Sequence, residues 1–218
     1  MSDASRCSPL SVPQTPAATA AVEVARLFYP PALLNHCFRS YHFAAGDGRR
    51  RDIAVDDELL FVAALLHDLG LVPAFDAAEV PFEITGGKLA WIFAAGAGWT
   101  ERRRARVEDI VIGHMRDDVA AHDLPERHLL RRATGLDIVG RHSEQWPEPE
   151  LVQILTAHPR LDLNETFSRC FEVQADRMPD SAAATSVRSG IRLRLEQNPL
   201  NRLDPAPLLE LETTRCLH

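Results

Sequence analysis

The chain has 218 residues, 45% of them apolar, and a formal net charge of −7, enough to build one medium-sized core without disulfides. An acidic balance, with a pI near 5.7, argues against a basic face that grips nucleic acid. Cys7, Cys37, Cys170 and Cys216 have no CxxC spacing, so neither a disulfide framework nor a thiolate metal site is expected and a reducing cytoplasm fits. No stretch approaches the roughly 18 apolar residues of a membrane span, and the N-terminus lacks the basic start and apolar run of a secretory signal.

Residues 1–18 are rich in Ser, Pro and Ala, carry little that could form a core, and are expected to be a flexible arm. From Ala20 onward the apolar residues recur at helical spacing, with Pro or Gly between blocks. The expected fold is therefore all-α: a single compact helical bundle over 19–197, followed by a tail over 198–218. Helices are predicted over 19–28 and 31–45, the second opening at Pro31, where a missing amide proton costs nothing. A third is predicted over 57–69, with Asp56 as N-cap and Gly70 as stop. Others follow over 82–96, 101–117, 126–140, 148–157 and 163–178, the last opened by Asp162 and Glu165 at capping-box spacing. SAAATSVRSGIRLRLEQ adds a further helical stretch, and the tail from Asn198, with Pro199, Pro205 and Pro207, is expected to wrap the surface. There is no internal repeat.

The informative feature is a set of ionisable residues inside apolar helical runs. In AALLHDLGLV, His67 and Asp68 interrupt a hydrophobic segment, and Ala63 and Ala64 stand beneath His67 at helical spacing, so both polar side chains should point inward. Asp137, flanked by Leu136, Ile138 and Val139, needs a cation, because an unpaired buried carboxylate costs several kcal/mol. Two cations are open to it: an arginine, with Arg131, Arg132 and Arg141 close in sequence, or a metal ion. His36 lies one turn beyond Leu33 in PPALLNHCFRSY. Taken singly, it reads as a hydrogen-bonded core residue. One divalent metal held by His36, His67, Asp68 and Asp137 would answer all these burial problems together. Such a mixed nitrogen and oxygen site suits Zn, Fe, Mn or Ni, with Zn favoured for its tolerance of low coordination and its Lewis acidity.

Other polar residues each carry two readings. His114, in EDIVIGHMRDD at helical spacing from Ile110 and Val111, should face inward, either to contact substrate and transfer a proton or as a core imidazole bonded to a carbonyl. Glu83 either accepts the second proton of a ligand histidine or caps the helix that follows. Arg39 and Tyr41 either line the pocket or support the first ligand helix. His42, His122, His128, His142, His158 and His218 are read as surface or loop residues.

An isolated His36, an adjacent His67-Asp68 pair and a distant Asp137, spread over helices, resemble the HD superfamily of metal-dependent enzymes. NHCFRSYHFA, DELLFVAALLHDLGLVPAF, FEITGGKLAWIF, RRATGLDIVG and HPRLDLNETF look like motifs of its cyanamide hydratase branch, over about Ala20 to Arg194. The resemblance implies an HD-type bundle and one divalent metal held by those four residues that activates water; Asp68, as a ligand, and His114, from its inward position, are the expected catalytic residues. Lys88, the only lysine, and Gly87 depart from the branch's pattern, and Lys88 is expected near the substrate with Arg39 and Glu83. Phosphohydrolases of the superfamily commonly carry a lysine soon after the His-Asp-x-Gly turn, but Leu71, Val72 and Pro73 follow Gly70 here. With Phe75 they form an expected apolar wall. Hydration of a small nitrile-type substrate is therefore the first expectation, hydrolysis of a nucleotide or phosphoester the second, and a non-enzymatic binding protein with a structural metal the third. The expected partner is a small molecule, without nucleic acid or membrane, and an apolar outer helix face would support a homo-oligomer.

Overall fold

Helix α1 (Pro16–Phe28) starts where the Thr15 hydroxyl accepts the Ala18 amide at 3.2 Å, a capping bond that satisfies one of the free amides of the first turn. It begins inside the expected arm, because Ala17 and Ala18 are buried against the core. The computed structural model describes residues 10–116, 120–122 and 124–205. The first nine residues of the expected arm, the tail beyond 205, and residues 117–119 and 123, within the stretch HMRDDVAAHDL that is expected from sequence to replace a shorter, less charged pocket segment of the family, lie outside the described residues.

Helix α2 (Pro31–Arg50) runs through Gly46 and Gly48, past its predicted end. Those glycines serve packing: a Cβ on Gly46 would come within 2.8 Å of the Trp146 ring, and one on Gly48 within 3.1 Å of Leu129. Helix α3 (Asp57–Leu66) is capped by Asp56, which accepts the Leu59 amide at 3.0 Å. Every residue from Leu59 to Leu66 is buried, as an all-round apolar helix requires. It stops before His67 rather than at Gly70, and a short 3-10 turn, Leu69–Leu71, follows. That turn presses so tightly on the start of α4 (Phe82–Gly96) that a Cβ on Gly70 would sit 2.2 Å from the Phe82 carbonyl oxygen.

Helix α5 (Glu101–Gly113) packs along α4 and ends at His114, short of the predicted 117. Helix α6 (Pro125–Val139) packs along α2 and is terminated by Gly140 in a left-handed conformation, φ 72°. Helices α7 (Glu148–Ala157) and α8 (Leu163–Arg177) follow. The expected capping box is absent from α8, since the Asp162 carboxylate accepts the Thr166 hydroxyl at 2.9 Å and caps no amide. The next segment divides at Gly190, φ 75°, into α9 (Ala182–Arg188) and α10 (Ile191–Glu196). Beyond it the chain docks instead of lying on the surface: Asn198, Leu200 and Asp204 are buried, and the Asp204 carboxylate accepts the Arg160 amide at 2.7 Å.

The described residues thus form an all-α bundle without strands, in which α2 and α3 are wrapped by α1, α5, α6 and α8. Among the described residues no helix is long and apolar enough to cross a membrane. His42 and His158, read from sequence as surface residues, are drawn inward. They stack with each other at 5.2 Å, and His158 also stacks on Phe38 at 4.8 Å.

Candidate metal centre

The middle of α2 and the turn after α3 bring His36, His67 and Asp68 together in the buried interior. The two Nε2 atoms are 3.2 Å apart, and Asp68 Oδ2 is 3.4 Å from each. Their protons are committed elsewhere. His67 Nδ1 faces the Ala64 carbonyl at 2.7 Å and His36 Nδ1 faces the Asp137 carboxylate at 2.6 Å. Since a carbonyl and an ionised carboxylate can only accept, both Nδ1 atoms carry the hydrogen and both Nε2 atoms present lone pairs. Asp68 Oδ2 is buried without a hydrogen-bond partner.

Three lone-pair donors facing one another in a buried site repel unless a cation stands between them. Ligands about 2.0–2.1 Å from a tetrahedral ion lie about 3.3–3.4 Å apart, so the observed separations and chemistry fit a divalent metal. Burial and the neighbouring His36 hold His67 down at about 3, so it stays neutral, while burial pushes Asp68 up.

Asp137, expected as a fourth ligand, has a different place. Its two oxygens are occupied by Arg39 Nε at 2.8 Å, Arg39 Nη2 at 2.9 Å, Arg160 Nη1 at 3.2 Å and His36 Nδ1. Among the described residues the candidate ligand cluster contains His36, His67 and Asp68 only. Asp137 stands behind His36 and fixes its ring and tautomer, the part a carboxylate commonly plays next to a ligating imidazole. Burial pushes its pKa up, but Arg39, His36 and Arg160 outweigh burial and hold it well below the usual carboxylate range. The cations that answer its burial are Arg39 and Arg160, neither of them among the arginines close by in sequence. Arg160 carries the HPR segment, and its pairing went unseen because it lies 23 residues away.

A cavity of about 190 Å³ opens over His36, His67 and Asp68. His114 lies on its wall with Nε2 3.8 Å from Asp68 Oδ1, while its Nδ1 donates to the Val111 carbonyl. It is thus a buried imidazole anchored to a carbonyl, on the wall of the cavity. Burial and His67 hold its pKa at about 3.

The expected substrate contacts fare differently. Leu71 and Val72 line another cavity, of about 530 Å³, with Phe28 and Leu33, which shares no lining residue with the first. Phe75 packs edge-on against Phe28 at 4.6 Å. Glu83 is buried in the first turn of α4 and bonds to no ligand histidine, since those imidazoles already donate to Ala64 and Asp137. Lys88 is exposed and pairs with Glu108 at 2.6 Å. Arg39 does not reach the cavity but supports the ligand helix through Asp137, and Tyr41 donates to Asp57 at 2.8 Å. Instead, the cavity wall carries Arg116, Arg131, Arg141 and Arg194. The sequence held one signal for them: Arg131, Thr134 and Ile138 share a helical face.

An all-α bundle with a buried His-His-Asp cluster opening on a cavity belongs to the class of helical metal-binding domains. The HD domain family model matches residues 33–165, more than half of the chain, and the chain belongs to the HD domain family. Members of that family are mostly metal-dependent enzymes, phosphohydrolases foremost. Comparison with curated proteins returned no match.

Proposed function

We propose that the protein is a metal-dependent phosphohydrolase acting on a small phosphoester. The observation that carries this reading is the wall of the cavity above His36, His67 and Asp68, where, among the described residues, four arginines stand against one carboxylate. Guanidinium groups match phosphate oxygens in charge and in the geometry of their N–H donors. The expectation of a neutral nitrile rested on an apolar wall of Leu71, Val72 and Phe75, and none of the three lines this cavity.

A divalent ion held by His36, His67 and Asp68 would supply Lewis acidity and lower the pKa of water. The chain's own residues do the rest. Asp137 and the Ala64 carbonyl keep the two imidazoles in the tautomer that leaves Nε2 free. The arginines hold and neutralise the phosphoryl oxygens, and His114 offers Nε2 as a proton acceptor beside Asp68.

The test is to load the protein with Zn or Mn and assay phosphoesters, cyanamide and aliphatic nitriles in parallel. Metal-dependent phosphate release, abolished by Asp68→Asn, is the expected result. Amide formation from a nitrile without phosphatase activity would overturn the proposal and restore the hydratase reading.

A further inference from the structure

Resting on the phosphohydrolase reading, we propose that Arg131, Arg141 and Arg194 form a second anion subsite beside the metal centre, so that the substrate carries at least two phosphate groups, as a diphosphate or bisphosphate does.

In a chain whose net charge is −7, the described side chains lining this cavity include four arginines and a single carboxylate, that of Asp68. Among the described residues the wall is therefore at +3 before any ion is bound, and a divalent ion adds two more. A phosphomonoester dianion would leave most of that charge uncompensated, whereas a substrate with two phosphate groups brings three or four negative charges. Arg131 and Arg194 are half-buried and Arg116 and Arg141 exposed, so the charge is in contact with water, and like charges gathered at one opening still favour the more highly charged ligand.

Arg132 pairs with Asp47 at 2.7 Å, and Arg39 and Arg160 pair with Asp137. Among the described residues no carboxylate lies within ion-pair distance of Arg131, Arg141 or Arg194, and Arg194 Nε is buried with no hydrogen-bond partner. Arg131 is tethered by Nε to the Arg116 backbone carbonyl, which leaves its remaining N–H groups free. Burial, then repulsion from Arg131 and Arg194, depresses the Arg141 pKa. Three guanidinium groups are thus close enough to disturb one another, and a shared anion would relieve them.

Helix α6 presents Arg131, Thr134 and Ile138 on one face, and the left-handed Gly140 turns the chain so that the Arg141 amide donates back to the Gly135 carbonyl at 3.2 Å. The Arg141 side chain crosses Gly135, where a Cβ would stand 3.3 Å from its Cδ. Helix α10 closes the wall with Ile191 and Arg194. Two separate elements therefore aim unpaired cations into the cavity that the metal centre shares.

The experiment compares methylenediphosphonate with methylphosphonate, binding each to the metal-loaded full chain by titration calorimetry. The diphosphonate should bind at least about tenfold tighter, since each added charge-assisted contact is worth about that factor. The double substitution Arg141→Met, Arg194→Met should narrow the gap to about twofold, and the double Lys variant should restore part of it. Circular dichroism checks that each variant folds, and Gly135→Ala, which displaces Arg141 without removing charge, is an independent probe expected to narrow the gap partially. Equal affinity of the two phosphonates for the wild-type protein, or a gap that neither the Met pair nor Gly135→Ala changes, would overturn the subsite. The two proposals fail separately: phosphomonoester hydrolysis without diphosphonate preference leaves the function and sinks the subsite. Diphosphonate preference without hydrolysis of any phosphoester does the reverse.

Discussion

Replacing Asp137 by Asn removes a single negative charge from a place that water does not reach and leaves two guanidinium groups behind. Asp137 and Arg39 are 0% exposed and Arg160 is 3% exposed. The carboxylate accepts four bonds of 2.6–3.2 Å, from Arg39 twice, Arg160 and His36. An amide keeps one accepting oxygen and turns an NH₂ group toward a donor that had been satisfied. Removing one partner of a buried ion pair costs about 3–5 kcal/mol, a large share of the roughly 5–15 kcal/mol that holds a domain folded. At about 2–4 °C per kcal/mol for a chain of this size, Tm should fall by about 6–20 °C. Metal affinity should fall by roughly 10–100-fold, because His36 loses the group that orients it. Thermal and urea unfolding of chelator-treated protein measures the first effect, and competition with a metal-binding dye the second. A loss below about 1 kcal/mol without metal, joined to a collapse of metal affinity far beyond 100-fold, would refute the arrangement and make Asp137 a direct ligand.

Two further outcomes can be checked. His114 and His158 are held at about 3 and about 4, chiefly by burial, against about 6.5 in an unfolded chain. Below about 6.5 the unfolded chain therefore binds more protons than the folded one, so stability falls as pH falls toward 4. Urea midpoints of the chelated protein should drop between pH 7 and pH 5, less steeply in His158→Phe, and a flat profile would contradict the burial of these rings. Gly70→Ala should cost about 1–3 kcal/mol, because its methyl group would meet the Phe82 backbone. An unchanged Tm would show that the turn carrying Asp68 is not pressed on α4.

Local rules explain what was legible in the sequence. Helical period, Pro31 at a helix start, and Asp56 capping α3 depend on residues a few positions apart, so the all-α fold and most helix starts could be read directly. The inward His36, His67 and Asp68 were legible for the same reason, as ionisable groups in runs too apolar to face water. Tertiary packing decided the rest. Asp137 pairs with Arg39, 98 residues away, and Arg160, 23 away, rather than with Arg131, Arg132 or Arg141. Helix α2 runs beyond its predicted end at 45 through Gly46 and Gly48, which admit Trp146 and Leu129. The cavity wall was beyond local reading altogether. Successive helical residues point about 100° apart, so nearness in sequence to His67 and Asp68 does not make Leu71 and Val72 their neighbours across a pocket. Only the convergence of the chain just after α5, of α6 with the turn that follows it, and of α10 sets four arginines around the site and gives the cavity its charge.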